Sequence, residues 1–198
     1  MTARRRGRAW RAAAVLCLVP CVAFVGCSGG EGDPPVACLP ISFTPAIGTI
    51  ASGSVFLGEL TSTCTSVDVV VMVNDLSGIF TVGFDLAFPA SVLSYDSYTA
   101  GPLLLKGSPT QNPFFVVIDP SPGVVQVSAT RLSPDPSVAA VGSEMLMTLR
   151  FSKVSSGTGA IDFDDGSGSL VDEVVLDENG ATRPASFQPD HGGIVLVP

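Results

Sequence analysis

The residues with the most chemical potential in this chain sit in two short polar turns near its C-terminal end. The stretch DFDDGSGS, 162–169, offers Asp162, Asp164 and Asp165 as oxygen ligands of the kind Ca2+ takes. It lacks the Asp-x-Asp-x-Asp-Gly order and the Glu at loop position twelve of the helix–loop–helix calcium site. A solvated acidic turn is the plainer reading, with Ca2+ the one cofactor these three side chains suggest. His191 is the only histidine and lies in PDHGG, a turn before an apolar run. A catalytic histidine needs a nucleophile and an orienting acid, and no Gly-x-Ser-x-Gly elbow occurs. GSGSLV, 166–171, has two glycines of a dinucleotide loop, but no helical pattern follows to offer phosphate an N-terminus. Paired carboxylates suit glycoside hydrolysis, yet pairs are unavoidable among eighteen acids. The chemistry-bearing residues describe a protein that is not an enzyme.

The cysteines and the N-terminal end carry more. Arg4, Arg5, Arg6, Arg8 and Arg11 precede an uncharged apolar stretch of 13 residues, 12–24. A bilayer-spanning helix needs about 20 residues, so this is the pattern of a secretory signal peptide. The exit, Phe24-Val25-Gly26-Cys27, resembles the lipobox of bacterial lipoproteins, with Phe24 where Leu is usual. That resemblance implies cleavage after residue 26, lipid on Cys27, and export to the cell envelope. Ser28 rather than Asp after the cysteine implies the outer membrane where a cell has two. CSGGEGDPP, 27–35, reads as a flexible tether, too poor in apolar residues to bury a core. Cys17 and Cys21 leave with the signal. Cys38 and Cys64 remain, in a compartment that permits a disulfide. Such a bridge closes a loop of about 26 residues and is worth about 3–4 kcal/mol in the chain-entropy model. Two cysteines and one histidine are a poor zinc set.

Charge follows the same division. Beyond residue 26 there are five Lys and Arg against eighteen Asp and Glu, a net of −13. The basic footprint of a nucleic-acid binder is absent.

Residues 36–198 form one domain of ordinary size whose pattern is β throughout. Runs rich in Val, Ile, Phe and Thr fall at 54–60, 66–75, 79–88, 114–119, 123–131, 144–154, 159–163 and 192–197. Turn residues separate them, as in NDLSG (74–78), DPSPG (119–123), SSG (155–157) and DENG (177–180). Eight or nine short strands without helical periodicity make a β-sandwich. In 79–88, Val82, Phe84, Leu86 and Phe88 share one face and Thr81, Gly83, Asp85 and Ala87 the other, so the first set packs inward. The only Trp lies in the signal and two Tyr remain, Tyr95 and Tyr98, which gives no evident aromatic platform for a glycan. Phe114-Phe115 reads as half core and half surface.

The order and spacing of VDVVVMVNDLSGIFTVGFDLAFPASVLSYDS (67–97), EMLMTLRFSKVSSGTGAIDF (144–163) and the closing GGIVLV resemble a cohesin module over residues 55–197. The resemblance implies an all-β fold, a single nine-stranded jelly-roll sandwich related in shape to carbohydrate-binding modules. It implies binding of a protein partner, a dockerin-type module, in polysaccharide degradation or surface assembly. A carbohydrate-binding module of the same fold, taking polysaccharide, is the alternative. Thr81 and Gly83 stand where cohesins carry an Asn and, two residues on, an Asp, and Phe88-Pro89 stands for a Tyr-Asp. The expected partner-binding side is therefore Thr81, Gly83, Asp85 and Ala87.

Overall fold

The Val-rich run after Cys64 becomes a strand because its β-branched side chains suit a pleated surface. The computed structural model describes residues 37–46, 48–163, 173–187 and 191–198. The signal segment, the tether, Cys27, Asp164 and Asp165 lie outside the described residues.

In chain order the strands are β1 (Ser42–Pro45), β2 (Ser54–Ser62), β3 (Ser66–Asn74), β4 (Thr81–Ala87), β5 (Leu93–Ala100), β6 (Phe114–Ser121), β7 (Val124–Thr130), β8 (Ser143–Lys153), β9 (Gly157–Ile161), β10 (Val174–Leu176), β11 (Thr182–Arg183) and β12 (Gly193–Val197). One 3-10 turn, Leu103–Leu105, lies between β5 and β6. Among the described residues, nine of the twelve strands run five residues or more; β1, β10 and β11 are shorter. The class is the all-β sandwich read from the sequence.

The pairings form a five-stranded sheet in the order β11-β10-β4-β7-β6, a four-stranded sheet β2-β3-β8-β5 and a three-stranded sheet β1-β12-β9, all antiparallel. Along β3, Val67, Val69, Val71 and Val73 are fully buried. Val82, Phe84 and Leu86 on β4 are equally buried, as are Leu149 and Phe151 on β8. Each such side chain contributes about 1.5–3 kcal/mol relative to exposure. Phe84, Phe163 and Phe187 join edge to face or tilted, with Phe84–Phe163 centroids 5.4 Å apart.

Two local devices fix the ends. Cys38 and Cys64 form a disulfide with Cα atoms 5.8 Å apart, tying the segment before β1 to the turn before β3. Gly123 closes the β6–β7 hairpin at φ 90°, where a Cβ would meet the Phe88 carbonyl at 3.0 Å. β5 departs from the sequence reading, which has no strand run there. Its residues are Leu-Ser-Tyr-Asp-Ser-Tyr-Thr-Ala, and its register against β8 slips between Tyr95 and Ser97. A bulged, mostly exposed edge strand shows no alternation to read.

Candidate functional site

Register places the expected partner-binding side within a larger surface. Thr81 lies opposite Thr130 on β7, Gly83 opposite Ser128, Asp85 opposite Gln126 and Ala87 opposite Val124. On β7's other flank, β6 sets Phe114 beside Thr130, Val116 beside Ser128 and Ile118 beside Gln126. Side chains of one row point the same way, so Thr81, Gly83, Asp85, Ser128, Gln126, Phe114, Val116 and Ile118 share the outer face of the five-stranded sheet.

That face is closed at one side and open at the other. Asp85 is only 3% exposed, Gly83 is buried, and Thr81 and Ala87 are half-buried. The exposure expected of the outward side of β4 is therefore corrected. β4 is interior to its sheet, with β7 on one flank and β10, carrying Val174 and Leu176 beside Gly83 and Thr81, on the other. Polar groups there are engaged with each other. Thr81 Oγ1 and Thr130 Oγ1 are 2.7 Å apart, and Gln126 Nε2 donates to Asp85 Oδ2 at 3.1 Å. On the edge strand β6 the picture reverses: Phe114 is 57% exposed, Val116 38% and Ile118 47%. Ser128 beside them is also exposed.

Alternation finds the outward side of β4, and the half-core, half-surface reading of Phe114-Phe115 holds, but the sequence reading does not extend the exposed row to Val116 and Ile118. A signal was present in FFVVI: β6 is apolar at both odd and even positions, so only one set can face the core. Phe115 and Val117 take the inner side.

Electrostatics sharpen the surface. Each of the five cations beyond residue 26 is held within the domain. Lys106 pairs with Glu144 at 2.8 Å, Arg150 grips Asp68 with two bonds at 2.7 and 2.8 Å, and Arg183 lies 3.9 Å from Asp177. Arg131, 2% exposed, donates to the carbonyls of Leu104 and Lys106, and Lys153 donates to the Pro198 carbonyl. Hydrogen bonding from Arg150 holds the Asp68 carboxyl below the usual carboxylate range, against the pull of burial and with help from Thr61. Acids outnumber these cations, and Asp96 and Asp119 among them are exposed.

The other candidates have backbone-fastening roles. His191 is buried, its Nδ1 3.0 Å from the Val55 carbonyl and 3.2 Å from that of Ser186, so it fastens a turn to β2. Asp162 forms a two-way backbone bridge with Ala87. No group of three or more His, Cys, Asp and Glu is placed to hold a metal among the described residues.

No family model matches the chain, and no curated protein does. Solved structures do. A type II cohesin domain from the cellulosome of Acetivibrio cellulolyticus is 17% identical, with TM-score 0.51, over 74% of this chain and 94% of that one. The second type II cohesin module of the adaptor ScaA scaffoldin of the same organism is 13% identical, TM-score 0.53, over 69% and 90%. The sixth cohesin of its scaffoldin B, solved in complex with a mutant dockerin, is 19% identical, TM-score 0.50, over 72% and 95%. At these identities the likeness is one of fold: the domain is built as a cohesin sandwich.

Proposed function

We propose that this chain is a non-catalytic, cohesin-like binding module that docks a dockerin-type protein partner on the open part of the five-stranded sheet, along β6 and β7. The observation that carries the reading is the row Phe114, Val116 and Ile118, exposed and uncharged on a fold shared with a cohesin solved in complex with a dockerin. An apolar centre with small polar neighbours such as Ser128 desolvates at little cost, as interface cores do. The site sits one to two strands from the side of β4 named by the sequence. The module would work at the cell envelope, exported and lipid-anchored through Cys27, in polysaccharide degradation or surface assembly.

Val116→Arg tests the face. Its side chain points to solvent, so folding should be unchanged while affinity for a dockerin-type partner falls by about 2 kcal/mol or more, a hot-spot loss. Unaltered affinity in the folded variant would remove β6 from the interface. The glycan alternative has the exposed rings of Tyr98 and Phe114 in its favour. A glycan array binding the domain where dockerins do not would select it. The anchor is tested separately: labelled palmitate should enter the wild type and not Cys27→Ala.

A further inference from the structure

The three-stranded sheet β1-β12-β9 separates its two sides as sharply as the larger sheets do. Phe43, Val195 and Ile161 point inward and are at most 1% exposed. Register sets Leu196 between Ser42 and Thr158, and Ile194 between Thr44 and Ala160. These six residues form two adjoining rows of the outer side. Ile194 is 52% and Leu196 54% exposed, and Thr44, Thr158 and Ala160 are exposed beside them.

Single exposed aliphatics are ordinary on a protein surface. Here two adjoin, and none of the six positions carries a charge in a chain with eighteen acids. Charges stand at the ends of the face instead. Lys153 Nζ donates to the carbonyl of Pro198, past the end of β12, and Asp162, just after β9, is bridged to Ala87 through its backbone.

The chain enters the domain at the border of this face. β1 is an edge strand, and the segment leading into it starts at Ala37. In that segment Leu39 is 70% exposed. It is pinned on both sides: Cys38 is bonded to Cys64, and the Ile41 amide donates to the Thr63 carbonyl at 2.8 Å. Ten residue steps separate Cys27 from Ala37. At about 3.6 Å each they reach no more than about 36 Å, whatever their conformation. Lipid on Cys27 therefore confines this border close to the headgroups. Confinement by a short linker amounts to a local concentration in the millimolar range, at which a contact too weak for free protein is populated. The excess of acids beyond residue 26 gives no attraction to anionic lipid, so the contact is made by apolar side chains.

We propose that the outer side of β1-β12-β9 is the face on which the anchored domain rests against a lipid bilayer, with Ile194 and Leu196 entering the headgroup–acyl boundary and Leu39 at its border. This rests on the anchor at Cys27 and goes beyond it by fixing which way the module faces. The row Phe114, Val116 and Ile118 belongs to another sheet and is left to the protein partner.

The test exploits the position of the one Trp, Trp10, in the segment removed by cleavage after residue 26. In the mature chain Thr158→Trp supplies a single reporter within the face, and Val116→Trp one outside it. With Cys38 bonded to Cys64, Cys27 is the free thiol, and it is coupled to a maleimide lipid in phosphatidylcholine vesicles. Chemical attachment separates this test from the palmitate test of Cys27→Ala: failure there ends the cellular anchor, whereas the result here judges the face. Brominated phosphatidylcholine should quench the Thr158→Trp reporter at least about threefold more than the Val116→Trp reporter. Adding Ile194→Ser and Leu196→Ser should abolish the difference, with thermal melting showing that the domain stays folded. Thr44→Asp, across the same face, should at least halve it without removing an apolar residue. Equal quenching of the two reporters, or a difference that survives both changes, would overturn the proposal. So would stronger quenching on phosphatidylglycerol vesicles, which would assign the contact to cations. A Thr158→Trp emission that shifts with protein concentration in lipid-free solution would give the face to a second copy of the chain instead.

Discussion

β3 and β6 are written in nearly the same alphabet. β3 reads SVDVVVMVN and β6 opens FFVVI, each with apolar residues on both sides of the pleat. Their fates differ. β3 has β2 on one flank and β8 on the other, with Val67, Val69, Val71 and Val73 fully buried and even outward Val70 only 6% exposed. Among the described strands β6 has a neighbour on one flank only, and its outward row stands in solvent. An apolar residue on the second face of a strand is thus core or interface according to where the strand sits in the sheet. Exposed edges of this kind are a liability unless managed, and Pro113 before β6 and Pro120 within it limit strand addition along this one.

The widest separation between the two strands should appear under a buried charge. Val71→Asp places a carboxylate where no water reaches, and should cost about 3–5 kcal/mol, much of the 5–15 kcal/mol by which domains are stable. Ile118→Asp on β6 should shift stability by no more than about 0.5 kcal/mol. Urea unfolding of both variants measures this. Comparable losses would mean that β6 is covered in the folded protein, and the contrast would fail.

Position in the sheet is also what the sequence conveyed least. Strands with clean alternation, β4 with Val82, Phe84 and Leu86 inward, were legible to within two residues. So were β7, β8 and β12, because a buried inner face imposes period two. β5 was not, since Ser94, Asp96, Ser97 and Thr99 leave no apolar period and the bulge breaks what remains. At the site, alternation told which side of β4 faces away from the core. It could not tell that Gly83 and Asp85 would be buried there, because strand order depends on long-range pairing. The stacking of Tyr98 on Phe115 was invisible for the same reason: the two are separate in the chain and meet only once both sheets close.

One row of the outer face contains both conditions, which makes it a finer test. Gly83 and Val116 lie either side of Ser128. Alternation alone treats them as equivalent outward positions. With Gly83 buried, Gly83→Arg should overpack its surroundings and cost about 1–3 kcal/mol, whereas Val116→Arg should be near neutral for folding. If Gly83→Arg melts with the wild type, the closed side of the face is open after all, and the binding side returns to β4.

The smallest effect compares the outer faces of the two large sheets. The five-stranded face keeps its open row uncharged, while the four-stranded one carries the two-bonded pair of Asp68 on β3 and Arg150 on β8, residues directly opposite in register. Hydrogen bonding to Arg150 lowers the Asp68 pKa below its ordinary value of 3.8. A carboxyl depressed in the folded state contributes stability that is fully present above its unfolded pKa and is lost as pH falls through the folded one. The guanidinium is half exposed, so solvent screens the pair and its contribution is small. Arg150→Gln should therefore be slightly less stable than wild type at pH 7, and the difference should shrink as pH falls below the ordinary carboxylate range and be lost once it passes through the folded-state pKa. NMR titration should show the Asp68 carboxyl moving up toward its ordinary value in the variant. A deficit that persists unchanged once NMR shows the Asp68 carboxyl fully protonated would mean that Arg150 acts through the packing of its aliphatic stem on the sheet rather than through charge.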